Sequence, residues 1–188
     1  MNNKYCVLCD NNDKNIIYKY NICIDCINIP IINILRHYKY KDILQDQYNL
    51  FINNFNINDQ DDCGNTALIY AIKYDYKQWI KLVLLDNNTD LNIQNNNGHT
   101  ALMFSCMYND IYVLNLLLSK NNIDINIQDN FGNTALLWAI EFNCIDCIKL
   151  LLKHKYININ LTDNNNLSAL DYAIKYNYIE CINLLKNI

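Results

Sequence analysis

Cysteine supplies the clearest candidate chemistry in this sequence. Of its nine cysteines, four form two C-x2-C pairs, Cys6-Val7-Leu8-Cys9 and Cys23-Ile24-Asp25-Cys26, separated by residues 10–22. Four thiolates arranged in two such pairs can close a tetrahedral site around Zn2+. A segment of residues 1–29 is too short to bury a core of its own, whereas metal binding at such sites supplies on the order of 10 kcal/mol at neutral pH. The spacing therefore predicts a closed, structural zinc module with Cys6, Cys9, Cys23 and Cys26 as ligands. The bland alternative is four unbound thiols in a short tail.

No other group of residues points to catalysis. A third pair, Cys144-Ile145-Asp146-Cys147, invites redox or metal chemistry until the repeat described below places it. His37, His99 and His154 stand at no spacing from Cys, Ser or carboxylate that assembles a catalytic set. There is no Gly-rich phosphate loop, metalloprotease motif or nucleophile signature. An enzyme is not expected.

The elements that carry these residues come from an internal repeat. At an offset of 34, Gly64-Asn-Thr-Ala-Leu falls onto Gly98-His-Thr-Ala-Leu, Gly132-Asn-Thr-Ala-Leu and Asn166-Leu-Ser-Ala-Leu. The same offset superposes Ile57-Asn58, Leu91-Asn92, Ile125-Asn126 and Ile159-Asn160, and also Leu82, Leu116, Leu150 and Leu184. A fixed period of this length means stacked repeats. Gly64, Gly98 and Gly132 occupy a turn position that needs positive φ, and Asn166 is the best tolerated substitute there. Thr66, Thr100, Thr134 and Ser168 then offer hydroxyls to the unpaired N–H groups of a helix start. Each first helix is expected to end at Asp75, Asn109, Asn143 or Asn177 in the left-handed conformation. A second helix follows, with an apolar face such as Ile111, Val113, Leu114, Leu117 and Leu118.

The run Asp129-Asn130-Phe131-Gly132-Asn133-Thr134-Ala135-Leu136 resembles the turn and helix opening of the ankyrin-repeat family, with Ala in the usual Pro slot. The likeness recurs four times over about residues 59–188. It implies an all-α solenoid of helix-turn-helix units, with repeats at 59–92, 93–126 and 127–160 and a capping repeat at 161–188. Phe55-Asn56-Ile57-Asn58 matches the exit of later repeats, so residues 30–58 are expected to form a degenerate leading cap. Relative to the family's period of about 33, the added residue falls in the loop after the second helix. The Pro and His of the family motif are replaced by Ala with Ile69, Met103, Leu137 or Asp171, which puts the network built on that His in doubt. The N-terminal pairs resemble a treble-clef-type zinc finger, in which a hairpin separates the two pairs, with Tyr18–Cys23 as the region of its second strand. A RING-type ligase module needs ligands for two zinc ions, and the next cysteine after Cys26 is Cys63, inside a repeat turn.

Within the repeat, Cys147 shares a packing column with Trp79, Val113 and Cys181, so it reads as core, and Cys106 reads the same way. Two aromatic columns stand out. Tyr70, Phe104, Trp138 and Tyr172 fall where the family packs repeats together. Tyr74, Tyr108, Phe142 and Tyr176 fall near the end of the first helix, on the concave face with which family members contact partners. These four rings are either a recognition stripe or simply stack on one another. The turn tips, with Asn65, Asn97, His99, Phe131 and Asn133, would complete the protein-binding surface.

The resemblance thus implies a non-catalytic interaction scaffold or adaptor that binds a protein partner. The net charge of -4 is scattered and offers no electrostatic footprint for nucleic acid. The rival reading is a nucleic-acid-binding protein whose zinc module makes the contact, with Lys4, Lys14 and Lys19 as its basic support. No signal peptide or bilayer-length apolar run is present, so an intracellular, cytoplasmic location is expected. The Asn- and Ile-rich composition also resembles the ankyrin proteins of giant DNA viruses, which implies a host protein as partner.

Overall fold

The computed structural model describes residues 56–187 and, as backbone only, the segments Ile16–Ile17 and Ile22–Cys23. The expected ligands Cys6, Cys9 and Cys26, and the leading cap apart from 56–58, lie outside the described residues. The two short segments are strands, β1 (Ile16–Ile17) and β2 (Ile22–Cys23), paired antiparallel with Ile16 opposite Cys23 and Ile17 opposite Ile22. The second strand lies inside the expected Tyr18–Cys23 segment but covers only its end.

From residue 67 onward every described element is a helix. They come in pairs: α1 (Ala67–Lys73) with α2 (Lys77–Leu85), α3 (Ala101–Met107) with α4 (Ile111–Leu118), α5 (Ala135–Glu141) with α6 (Ile145–Leu152), and α7 (Ala169–Lys175) with α8 (Ile179–Lys186). None of them is long and apolar enough to cross a membrane.

The same local chemistry builds each pair. The hydroxyl of Thr66, Thr100, Thr134 or Ser168 accepts from the N–H three residues on, at 3.3 Å each time, which satisfies one orphan donor of the first turn. At the other end Asp75, Asn109, Asn143 and Asn177 sit at φ of 55, 51, 52 and 56°. The next N–H then reaches back to a helix carbonyl, Tyr76 to Ala71, Asp110 to Ser105, Cys144 to Ala139 and Tyr178 to Ala173, at 2.8 to 2.9 Å. That is the reverse turn in which a left-handed residue closes a helix and redirects the chain. Asp or Asn therefore does here what Gly does in most such turns.

The described residues fall into two compact units, 56–62 with 66–89, and 63–65 with 90–187. In the first, α1 packs on α2, and Leu68, Ile69, Trp79, Ile80 and Val83 are buried. In the second, α3, α5 and α7 pack in succession as one layer and α4, α6 and α8 as the other. Ser105, Ala139 and Ala173 are fully buried where the first helices meet, and their small size permits the close approach.

The four described helix-region cysteines, Cys106, Cys144, Cys147 and Cys181, are buried and unpaired. Burial pushes the Cys144 thiol up to about 11 and the Cys181 thiol above its ordinary range. Among the described residues no group of His, Cys, Asp and Glu is arranged to hold a metal.

Candidate functional site

Each turn tip is organised by one side chain. Asn95, Asp129 and Asp163 hold equivalent positions, and each Oδ1 accepts two backbone N–H groups: Asn97 and His99, Phe131 and Asn133, Asn165 and Leu167, all at 2.8 to 3.0 Å. The backbone closes the same loop, for example from Gly98 N to Asn95 O and from Gly132 N to Asp129 O. Successive tips are then stitched together, since Asn130 N donates to Asn97 O and Asn164 N to Phe131 O. Asn130 Nδ2 adds a bond to Asn96 O at 2.8 Å, and Asn164 Nδ2 one to Asn130 O at 3.0 Å. Of these three only Asp129 stands in the motif that carries the family resemblance, with no such role attached to it, and the spacing of the column, three residues ahead of Gly98, Gly132 or Asn166, is the signal for it.

The tip residues do not all face outward. Asn97 is exposed and Phe131 is 63% exposed. Asn65 and Asn133, expected on the tip surface, are instead buried, and His99 is half-buried. The reason is geometric. This column lies against the next tip: Asn65 Oδ1 accepts from Asn95 Nδ2 at 2.9 Å, and His99 Nε2 lies 3.5 Å from Asp129 Oδ2. The His99 ring is wedged edge-on between Phe104 and Trp138, with centroids at 5.6 and 5.3 Å. Trp138 Nε1 in turn donates to Asp129 Oδ2 at 2.8 Å. These junction residues set the tips in place and leave Asn97 and Phe131 as the reachable ones.

His99 makes this junction pH-sensitive. Burial lowers its pKa and outweighs the opposing pull of Asp129. The unfolded chain then takes up this proton at a higher pH than the folded chain does. Its stabilising contribution is complete above the unfolded value of about 6.5 and is lost as pH falls through the lower folded value. Urea midpoints of the wild type and of His99→Gln should therefore run parallel above neutrality, with the wild type falling away faster below pH about 6.5. Parallel curves throughout would show that His99 is not buried in this way. In the following tip, burial opposes ionisation of Asp163, but the N–H groups of Leu167 and Asn165 and the Tyr172 phenol outweigh it and hold the carboxyl below its usual range.

The two aromatic columns occupy opposite environments. Tyr70, Phe104 and Tyr172 are buried and Trp138 is half-buried, as the packing column predicts. One helical turn later, Tyr108, Phe142 and Tyr176 are 50, 52 and 37% exposed. Each lies beside the inner ring of its own repeat, with centroids 6.1, 5.9 and 6.0 Å apart. Tyr74 repeats the arrangement in the first unit, over Tyr70 at 4.5 Å. The rings thus pair along each helix, stacked for Phe104–Tyr108 and Trp138–Phe142 and tilted for Tyr70–Tyr74 and Tyr172–Tyr176, and the outer ring of each pair still presents a large surface to solvent. Lys175 reaches over both Tyr172 and Tyr176, at 5.4 and 5.2 Å.

No curated protein matches the chain. The family model described as "Ankyrin repeats (3 copies)" matches residues 37–129 and 113–188, well over half of the sequence. With the helix pairs, left-handed turns and stitched tips, that match settles the kinship: this chain belongs to the ankyrin-repeat family.

Proposed function

We propose that residues 90–187 recognise a partner protein without catalysis, through the exposed aromatic column and the exposed tip residues. Ankyrin repeats generally mediate protein–protein interaction and are typically non-catalytic scaffolds. The observation that carries the reading is that Tyr108, Phe142 and Tyr176 each hold an exposed ring braced by a ring of the same repeat. Large, rigid aromatic surface of this kind loses little side-chain entropy on binding and dominates many interfaces. Phe131 at a tip adds a further exposed ring. A specific interface would bury on the order of 1,200 to 2,000 Å² in total.

The test begins with partners captured from cells and measured again with purified proteins. The triple variant Tyr108→Ala/Phe142→Ala/Tyr176→Ala should keep its thermal melt and lose about 100-fold or more in affinity, as truncated hot-spot aromatics do. Unchanged affinity in a folded triple variant would remove the column from the interface.

We further propose that Cys6, Cys9, Cys23 and Cys26 hold one structural Zn2+. The paired C-x2-C spacing supports this, as does the antiparallel β1–β2 pairing between the two pairs. Elemental analysis of the purified chain should find about one zinc per chain, reduced to a trace in Cys6→Ser/Cys9→Ser. Equal zinc in both proteins sinks the assignment.

A further inference from the structure

Three thiols meet where the repeat of α3 and α4 packs on that of α5 and α6. Cys106 lies in the last turn of α3, Cys144 is the N-cap of α6, and Cys147 stands three residues further on, in the first turn of that helix. Cys144 Sγ lies 3.5 Å from Cys106 O and 3.6 Å from Phe142 O, and Cys147 Sγ donates to Asn109 Oδ1 at 3.5 Å. The thiols of Cys106 and Cys144 both hydrogen-bond Cys147. Cys106 and Cys147 are 0% exposed, and Cys144 keeps 6%.

Packing does not call for this grouping. At the repeat offset Cys144 falls on Tyr76, Asp110 and Tyr178, and Cys106 on Ile72, Ile140 and Ile174. The other helix pairs form with Tyr or Asp at the first position, and three of the four repeats carry Ile at the second, so neither position needs sulfur. The buried column of Trp79, Val113 and Cys181 explains Cys147 alone. The cluster is not arranged to hold a metal ion, which leaves the chemistry of sulfur with sulfur.

The thiols are also kept together. Asn126 ties the repeat of Cys106 to that of Cys144 and Cys147, donating from Nδ2 to Tyr156 O and accepting at Oδ1 from Asn158 N, both at 2.8 Å. Asn92 makes the matching pair one repeat earlier, with Asn122 O and Asp124 N, again at 2.8 Å. Helix geometry then selects Cys144 with Cys147. Residues three apart at a helix start have Cα atoms about 5 Å apart. A disulfide spans roughly 4.4 to 6.8 Å between its Cα atoms. The two sulfurs also differ in kind. The Cys106 thiol foremost, with help from that of Cys144, holds Cys147 below the ordinary thiol range against burial and the carboxylates of Asp146 and Asp110. Cys147 is therefore the attacking sulfur, and Cys144, pushed up by burial, keeps its proton.

We infer that Cys144 and Cys147 form a reversible dithiol, oxidised by hydrogen peroxide to a disulfide across the first turn of α6. The Cys147 sulfur attacks one peroxide oxygen, the O–O bond breaks, and the departing hydroxide takes up the thiol proton as water. The Cys144 sulfur then attacks the resulting sulfenic acid. An S–S bond replaces the S–O bond, and the hydroxyl leaves as water with the Cys144 proton. Both thiols are oxidised and one peroxide is reduced to two waters. Cys144 alone has an exposed edge, so access runs past it and favours a small oxidant over a bulky disulfide reagent. None of the three cysteines belongs to the aromatic column or the tips, so this inference stands or falls apart from the proposed function.

The test treats the reduced full chain with hydrogen peroxide, denatures it, blocks free thiols with iodoacetamide and maps its tryptic peptides by mass. Cys144 and Cys147 share the peptide 121–149, whereas Cys106 is the one cysteine of 82–120. Peptide 121–149 should lose about tenfold or more of its alkylation, appear with its two sulfurs joined, and recover after dithiothreitol, while Cys106 stays alkylated. A bond joining 82–120 to 121–149 would overturn the pairing. Unchanged alkylation, or sulfur acids on separate cysteines with no bond, would overturn the dithiol. In Cys147→Ser with an unchanged melt, Cys144 should remain alkylated after peroxide. Loss of its alkylation to the wild-type extent would show that oxidation does not pass through Cys147.

Discussion

Gly98→Val should cost roughly 2 to 4 kcal/mol of unfolding free energy, among the largest effects of any single tip substitution. Gly98 sits at φ +79°, where a β-branched residue is a true outlier. A Cβ there would also lie 2.6 Å from the backbone nitrogen of Asn130 and 2.8 Å from the Cα of Asp129. These are backbone atoms of the next tip, already tied to Asn97 O, so they cannot swing aside as a side-chain end would. Urea unfolding followed by circular dichroism measures the loss. A cost under about 1 kcal/mol would mean that the tip backbone relaxes freely. The control is Asn166→Gly, in the same column at φ 61°, where the change should stay within about 0.5 kcal/mol.

Ile140 and Ile174 give the second large contrast, because they are the same residue in the same column of consecutive repeats. Ile140 is 0% exposed and Ile174 is 54% exposed. Ile140→Ala should cost about 2 to 4 kcal/mol through lost transfer energy and the cavity left behind. Ile174→Ala should cost less than about 1 kcal/mol, since little is emptied at a half-solvated site. Similar losses in the two variants would show that a further surface covers α7 in solution. The neighbouring column supports the same pattern, for Met103 and Leu137 are buried while Asp171 in the last repeat is exposed. Asp171 spends its carboxylate on the Ser168 N–H at 2.8 Å, completing a capping box at the start of α7. The Ser168 hydrogen bonds hold that carboxyl below its ordinary range.

Much of this fold was legible because its determinants are local. A positive-φ glycine, a hydroxyl cap and a left-handed Asn are each decided by a few neighbouring residues, so they recur visibly at an offset of 34. The buried fate of Cys147 was readable for the same reason, from its column with Trp79, Val113 and Cys181. The burial of Asn65 and Asn133 was not, because it depends on how closely the next tip approaches, and no run within one repeat encodes that distance.

The paired amide bridges of Asn92 and Asn126 bear on how such a chain can lengthen. Each bridge has its donor side chain in one 34-residue segment and its backbone partners in the next. Tandem copying of residues 93–126 would therefore present every new copy with an Asn on the preceding side and a matching loop on the following one. Gene duplication in that phase creates a finished seam at birth.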